Sequence, residues 1–135
     1  MVFILDTNVV SEFRREKPHG AVVAWLRRTP DHEISISAAT IGEIQIGIEK
    51  SRDSDPTRAQ ELNDWLDDVA RTFNIVPVEA DDFRCWGRFM HGRPQHLAID
   101  AMIAATAKVR GLTVVTRNTK DFEPFDVPTV DPFAE

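Results

Sequence analysis

Short apolar runs alternate along this chain with longer stretches whose apolar residues recur every three or four positions. That alternation restricts the fold more than any single residue does. Parallel strands need crossover connections, and helices supply them. The pattern predicts an α/β chain with three layers, α/β/α, around a central, mostly five-stranded parallel sheet. Strands are expected at residues 2–5, in "EISIS", in "IVPVE", in "LTVVT" and in "VPTV". Helices are expected at 9–15, 21–28 and about 39–50, the last with Ile41, Ile44 and Ile48 on one face. Asp55 before Pro56 has the form of a helix start, and Ala59, Leu62, Leu66, Val69 and Phe73 continue it as an apolar stripe. Asp81 is placed as the cap of a helix carrying Trp86, Phe89 and Met90. A last helix is expected at 96–110, stopped by Gly111.

Nothing in the 135 residues divides them into parts, so one domain over 1–135 is expected. The apolar runs are too short to span a bilayer, and the start of the chain lacks the form of a secretory leader. The single cysteine, Cys85, leaves no internal disulfide and is read as core. A cytoplasmic location with no membrane partner is the expectation.

The charge balance sets the next constraint. Twenty-two acidic residues face 16 basic ones, a formal net charge of −6. A protein that merely coats a nucleic-acid backbone would be basic. Either nucleic acid is not the ligand, or the acids are concentrated where they hold cations.

In open α/β sheets, sites form outside the carboxyl ends of the strands. Asp6 follows the first strand directly. Glu43 lies in the first turns of the helix after the second strand. Asp100 stands about one turn into the helix before the fourth strand. Asp121 falls in the loop after that strand. All four therefore reach one rim. Each also has a plainer role available: Asp6 as a helix cap, Glu43 as the partner of Thr40 in a capping box, and Asp121 as a solvated loop acid. Asp100 resists such a role, because it is the only charged residue between His96 and Lys108 on a helix apolar nearly all round. A buried carboxylate needs a cation or a proton.

Four converging carboxylates offer oxygen ligands alone, which suits Mg²⁺ or Mn²⁺ rather than Zn²⁺. His19, His32, His91 and His96 have no zinc-like spacing and are read as surface or packing residues. Setting the four acids aside leaves 18 acidic against 16 basic residues, or −2. With cations bound, such a rim accepts phosphate.

Together, "ILDTNVVSE", "TIGEIQIGI", "IDAMIAATA" and "VVTRNTKDF" resemble the PIN-domain toxin ribonucleases of the VapC/FitB type. Each motif alone is weak; all four in order, on this α/β pattern, are specific. The resemblance implies an Mg²⁺- or Mn²⁺-dependent endoribonuclease with a five-stranded parallel sheet, acting as a homodimer and inhibited by a small cognate antitoxin. Asp6, Glu43, Asp100 and Asp121 fall on the family's acidic positions. Thr7 and Asn8 fall on the polar positions of its first motif, and Thr116 and Asn118 on supporting polar positions. The stretch 52–93 carries no motif that transfers.

Phosphodiester hydrolysis at such a site would use Asp6 and Asp100 as principal metal ligands. Asp121 would ligate a second ion or act through water, and Glu43 would do the same or serve as general base. Arg14, Arg15 and Lys17 either hold RNA backbone or form a solvated charged face. An antitoxin is expected to insert an Arg or Lys among the four acids. Val22, Trp25 and Leu26 would then either dock its tail or fill the core. Two rivals remain: a phosphotransfer enzyme with Asp6 as nucleophile, and a Mg²⁺-binding domain like a response regulator. The first wants an acid where Asn8 stands. The second wants a phosphoacceptor after the third strand, where "IVPVEADD" is a loose match.

Overall fold

The computed structural model describes residues 1–134. Strand β1 (Phe3–Leu5) opens the chain, followed by α1 (Thr7–Glu12) and α2 (Gly20–Arg28). Next come β2 (Ile34–Ser37), α3 (Ala38–Arg52), α4 (Pro56–Thr72) and β3 (Asn74–Val76). Then follow α5 (Ala80–Met90), α6 (Ala98–Arg110), β4 (Thr113–Val115), α7 (Thr119–Phe122) and β5 (Thr129–Val130).

The sheet is parallel throughout, in the order β3-β2-β1-β4-β5. The first three strands build outward in one direction. The chain then crosses back and lays β4 on the open side of β1. The order reverses between β1 and β4, which is where an α/β sheet opens a crevice at its carboxyl edge.

Side chains alternate across the strands and define two cores. On one face Ile4 and Val114 pack with Ala101, Ile103, Ala104 and Ala107 of α6, and with Phe122 and Phe125. On the other, Leu5, Ile34, Ile36 and Val115 pack with Val9 and Val10 of α1, Val22 and Trp25 of α2 and Val69 of α4. The alanines of α6 let that helix lie close on the sheet. The stripe of α4 behaves as its spacing implies: Ala59, Leu66 and Val69 are buried, with Leu62 and Phe73 packed beside them. Cys85 is buried, and the four histidines are exposed. Val22 and Trp25 are core residues, and Leu26 is half-buried beside them.

Local boundaries depart from expectation where side chains compete for backbone groups. Helix α1 starts at Thr7, because Asp6 caps it, and stops at Glu12 rather than at 15. Buried Glu12 accepts a hydrogen bond from the backbone N–H of His19 (3.2 Å), which folds the chain back early. Helix α3 is capped by Ser37, whose Oγ accepts from the N–H of Ala39 (3.0 Å). Thr40 is thus the third residue of the helix and not its cap, so the capping-box role considered for Glu43 is absent. Helix α5 begins two residues earlier than an Asp81 cap requires. Its cap is Glu79, and the carboxylate of Asp82 reaches back to the N–H of Glu79 (2.8 Å). Residues 95–97 form a 3-10 turn before α6. Pro77 lacks an N–H and ends β3 at Val76. Asp55 caps α4 as expected, by accepting from the N–H of Arg58 (3.1 Å). Gly111 closes α6 at φ 68°, a conformation that costs other residues about 1–2 kcal/mol.

Among the described residues, no helix is long and apolar enough to cross a membrane.

Candidate active site

The parallel register decides the centre of the site. Leu5 pairs with Val115, so the next residues on β1 and β4, Asp6 and Thr116, emerge side by side at the reversal of strand order. Asp6 is 5% exposed and accepts three hydrogen bonds. Its Oδ1 takes the backbone N–H of Thr7 at 2.7 Å. Its Oδ2 takes the hydroxyl of Thr116 at 2.8 Å and the amide Nδ2 of Asn8 at 3.0 Å. Asp6 is therefore a helix cap, as the plainer reading held. Half of its carboxylate is also turned toward β4.

Asn8 and Thr116 extend the arrangement. The Oδ1 of Asn8 accepts from the N–H of Arg117 (3.4 Å), and the Oγ1 of Thr116 accepts from the N–H of Asn118 (3.0 Å). Asn118 acts through its backbone; its side chain neither caps α7 nor bonds a carboxylate. Thr7 donates its hydroxyl to that of buried Thr40 at 3.4 Å, linking α1 to α3. Thr40 entered the sequence reading only as a candidate cap. The spacing of "TIGE" places it one helical turn before Glu43, on the same face, which was the available signal.

Glu43 and Asp100 are half-buried on α3 and α6, two helices that pack against each other. Asp121 is exposed and lies on α7 rather than in a loop. The four acids feel one another's charge. Burial, then the charges of Asp6, Asp121 and Glu43, raise the Asp100 pKa from the usual 3.8 to about 6. Burial also raises that of Asp6; the hydrogen bonds from Thr116 and Thr7 oppose the rise, and Glu43 and Asp121 add to it. Arg14, Arg15 and Lys17 are exposed, and none forms an ion pair with these four acids.

This donor set suits a hard divalent cation in its chemistry: oxygen atoms alone, partly desolvated, with mutual repulsion that a cation would relieve. The acids are not drawn in to ligand distance. Among the described residues, no three of His, Cys, Asp or Glu are grouped tightly enough to hold an ion.

Two of the acids of "IVPVEADD", Glu79 and Asp82, are engaged elsewhere, and the third, Asp81, is exposed on the first turn of α5. Strand β3 lies at the sheet edge, Glu79 caps α5, and Asp82 receives Nη2 of Arg110 at 2.8 Å. They do not supply the phosphoacceptor that a response-regulator domain requires.

The PIN domain family matches residues 3–127. The chain is 31% identical to Toxin FitB of Neisseria gonorrhoeae over 140 residues, covering 98% of this chain and 99% of that protein. It is 40% identical to Ribonuclease VapC14 of Mycobacterium tuberculosis over 74 residues, 54% of this chain and 72% of that one. The crystal structure of FitAcB from Neisseria gonorrhoeae contains a chain of 31% identity that superposes with a TM-score of 0.84, over 99% of this chain and 100% of that chain.

Proposed function

This chain belongs to the PIN domain family, and we propose that it is a divalent-metal-dependent endoribonuclease, the toxin of a toxin–antitoxin pair. In this reading one domain, residues 1–135, works in the cytoplasm as a homodimer and is held inactive by a small antitoxin. The observation that carries the reading is the convergence of Asp6, Glu43, Asp100 and Asp121 at one rim of the sheet, where burial first, and then the charges of the other three, raise the Asp100 pKa to about 6. The names of the relatives, a toxin and a ribonuclease, support it.

Asp6 and Asp100 would hold the principal Mg²⁺ or Mn²⁺, with Asp121 and Glu43 completing that sphere or holding a second ion. Such a cation, when bound, neutralises charge on the phosphate and makes a water more acidic. The residues then have distinct tasks. Thr116, Asn8 and the N–H of Thr7 fix the orientation of Asp6 and leave Oδ1, which accepts only one hydrogen bond, as the oxygen that would meet the ion. Where Glu43 does not ligate an ion, it would serve as general base and take a proton from water as that water's oxygen bonds to phosphorus. The phosphorus bond to the leaving ribose oxygen breaks, and that oxygen leaves with a proton from solvent. An antitoxin Arg or Lys set among the four carboxylates would satisfy the same charge and exclude the metal.

The test is incubation of the purified protein with total cellular RNA, with and without Mn²⁺, followed by mapping of the cut ends. Wild type should cut only with metal. Asp6→Asn and Asp100→Asn should each lose at least about a hundredfold in rate while remaining folded, a loss of about 2.7 kcal/mol in transition-state stabilisation. Near-wild-type cleavage by either variant removes that residue from the mechanism.

A further inference from the structure

Beside Asn8 lies an open groove of about 830 Å³ whose charge runs against that of the whole chain. Arg14, Arg15, Arg58 and Arg117 line it, against the two carboxylates Glu12 and Glu16. The protein itself carries −6. Glu12 is buried and accepts from the N–H of His19 and from Nη1 of Arg15 (3.3 Å), a pairing that offsets both charges and leaves Arg14, Arg58 and Arg117 against Glu16, while the other guanidinium nitrogens of Arg15 remain available to a phosphate.

The arginines come from separate parts of the chain: the turn after α1, the first turn of α4 and the segment between β4 and α7. Arg58 occupies a helix N-terminus, where a positive charge opposes the helix dipole. Its ion pair with Glu61, at 3.4 Å between exposed groups, offsets little of that. Arg117 is held in place: its guanidinium lies 4.4 Å from the centre of the Phe133 ring. The groove is also joined to the carboxylates. Asn8 lines it, donates to Asp6 and accepts from the backbone of Arg117.

We propose that this groove binds the phosphate backbone of the RNA strand that enters the carboxylate site, through Arg14, Arg15, Arg58 and Arg117, with Phe133 positioning Arg117. The assignment rests on the ribonuclease reading above. A guanidinium presents paired N–H donors that match phosphate oxygens. A strand drawn to acidic residues needs such an attraction nearby, because the acids themselves repel it. Lys17 lies outside the groove lining, and Arg58 and Arg117 take the role considered for it.

The test separates binding from cleavage. A short fluorescein-labelled single-stranded RNA is titrated with protein in EDTA, and anisotropy is read across salt concentrations. Four phosphate contacts give a slope of log affinity against log salt of about −2.8, or about 50-fold weaker binding at 200 mM than at 50 mM salt. Arg58→Ala/Arg117→Ala should halve the slope to about −1.4. Phe133→Leu keeps apolar bulk but loses the ring; it should weaken binding in wild type and have no effect in an Arg117→Ala background. Thermal melts check that each variant is folded. An unchanged slope in the double arginine variant overturns the groove and leaves the nuclease reading standing on its Mn²⁺-dependent cleavage. Failure of wild type both to bind and to cleave RNA overturns both. Equal competition by poly-glutamate of matched charge would show a groove for polyanions at large, acidic protein segments included, and overturns the assignment to RNA.

Discussion

Thr116 Oγ1 donates a 2.8 Å hydrogen bond to Asp6 Oδ2 across 110 residues of sequence. Both side chains are buried, and both leave parallel strands that end in register at the reversal of strand order. The bond ties the first motif of the chain to its last. It also holds down the pKa of a carboxylate that burial pushes up.

Thr116→Val keeps the shape of the side chain and deletes that bond. A hydrogen bond to a charged group contributes about 1.5–3 kcal/mol. Metal-free protein at neutral pH should therefore melt several degrees lower than wild type. The Asp6 pKa should rise further. In acid, where the carboxyl is protonated, the deficit should shrink. Melts at both pH values check this; an equal deficit at each would mean that packing, not the carboxylate, was lost.

Asp100→Asn should stabilise the metal-free protein at neutral pH. The folded pKa of about 6 stands above the usual 3.8. The folded state thus holds its proton more tightly than the unfolded state. The associated stability is fully present below about pH 4 and is lost as pH rises through about 6. The variant lacks this loss. Its melting temperature should exceed that of wild type near pH 7 and match it near pH 4. The opposite order near pH 7 would mean that Asp100 has a stabilising partner.

Mn²⁺ should raise the melting temperature of wild type at neutral pH. At a hundredfold excess over its dissociation constant, a ligand of the folded state adds about 2.7 kcal/mol. Asp6→Asn and Asp100→Asn should lose most of that gain. Melts in EDTA and in Mn²⁺ decide it, and an equal shift in all three proteins would place the ion elsewhere.

Arg110→Ala should destabilise the protein by about 3–5 kcal/mol, because it strands a buried carboxylate. Asp82 has a side chain only 1% exposed and receives Arg110 at 2.8 Å. Arg110 also donates to the carbonyl of Pro77 (3.2 Å), so it joins the end of α6 to the start of α5. Cleavage per folded molecule should be unchanged, since Arg110 lies ten residues, or about 15 Å, along α6 from Asp100. Denaturant unfolding measures the first quantity and single-turnover cleavage the second.

Periodicity was enough to read the layers, the parallel sheet and most helices, because a buried face imposes its repeat on every residue of an element. The strands and the stripe of α4 are of this kind; the cap at Asp55 and the stop at Gly111 were legible instead from residue type, Asp before Pro and Gly after the last turn. The acids were legible for a related reason. A lone Asp on an otherwise apolar helix is costly wherever that helix folds, so Asp100 stands out with no structure in view. Helix starts were less legible. Ser37, Glu79 and Asp82 took the roles considered for Thr40 and Asp81, because a cap depends on which donor a side chain can reach.

The order of the strands, and hence the meeting of Asp6 with Thr116, belongs to the tertiary structure alone. So does the basic groove: Arg14, Arg58, Arg117 and Phe133 share no local pattern and meet only because α1, α4 and the end of β4 open on one side. The pairing of Asp82 with Arg110 is of the same kind. Local pattern determines which face of each element is buried, since that cost is set within a few residues. Which elements become neighbours is decided by the packing of all those faces at once, and sites assembled across them take shape only there.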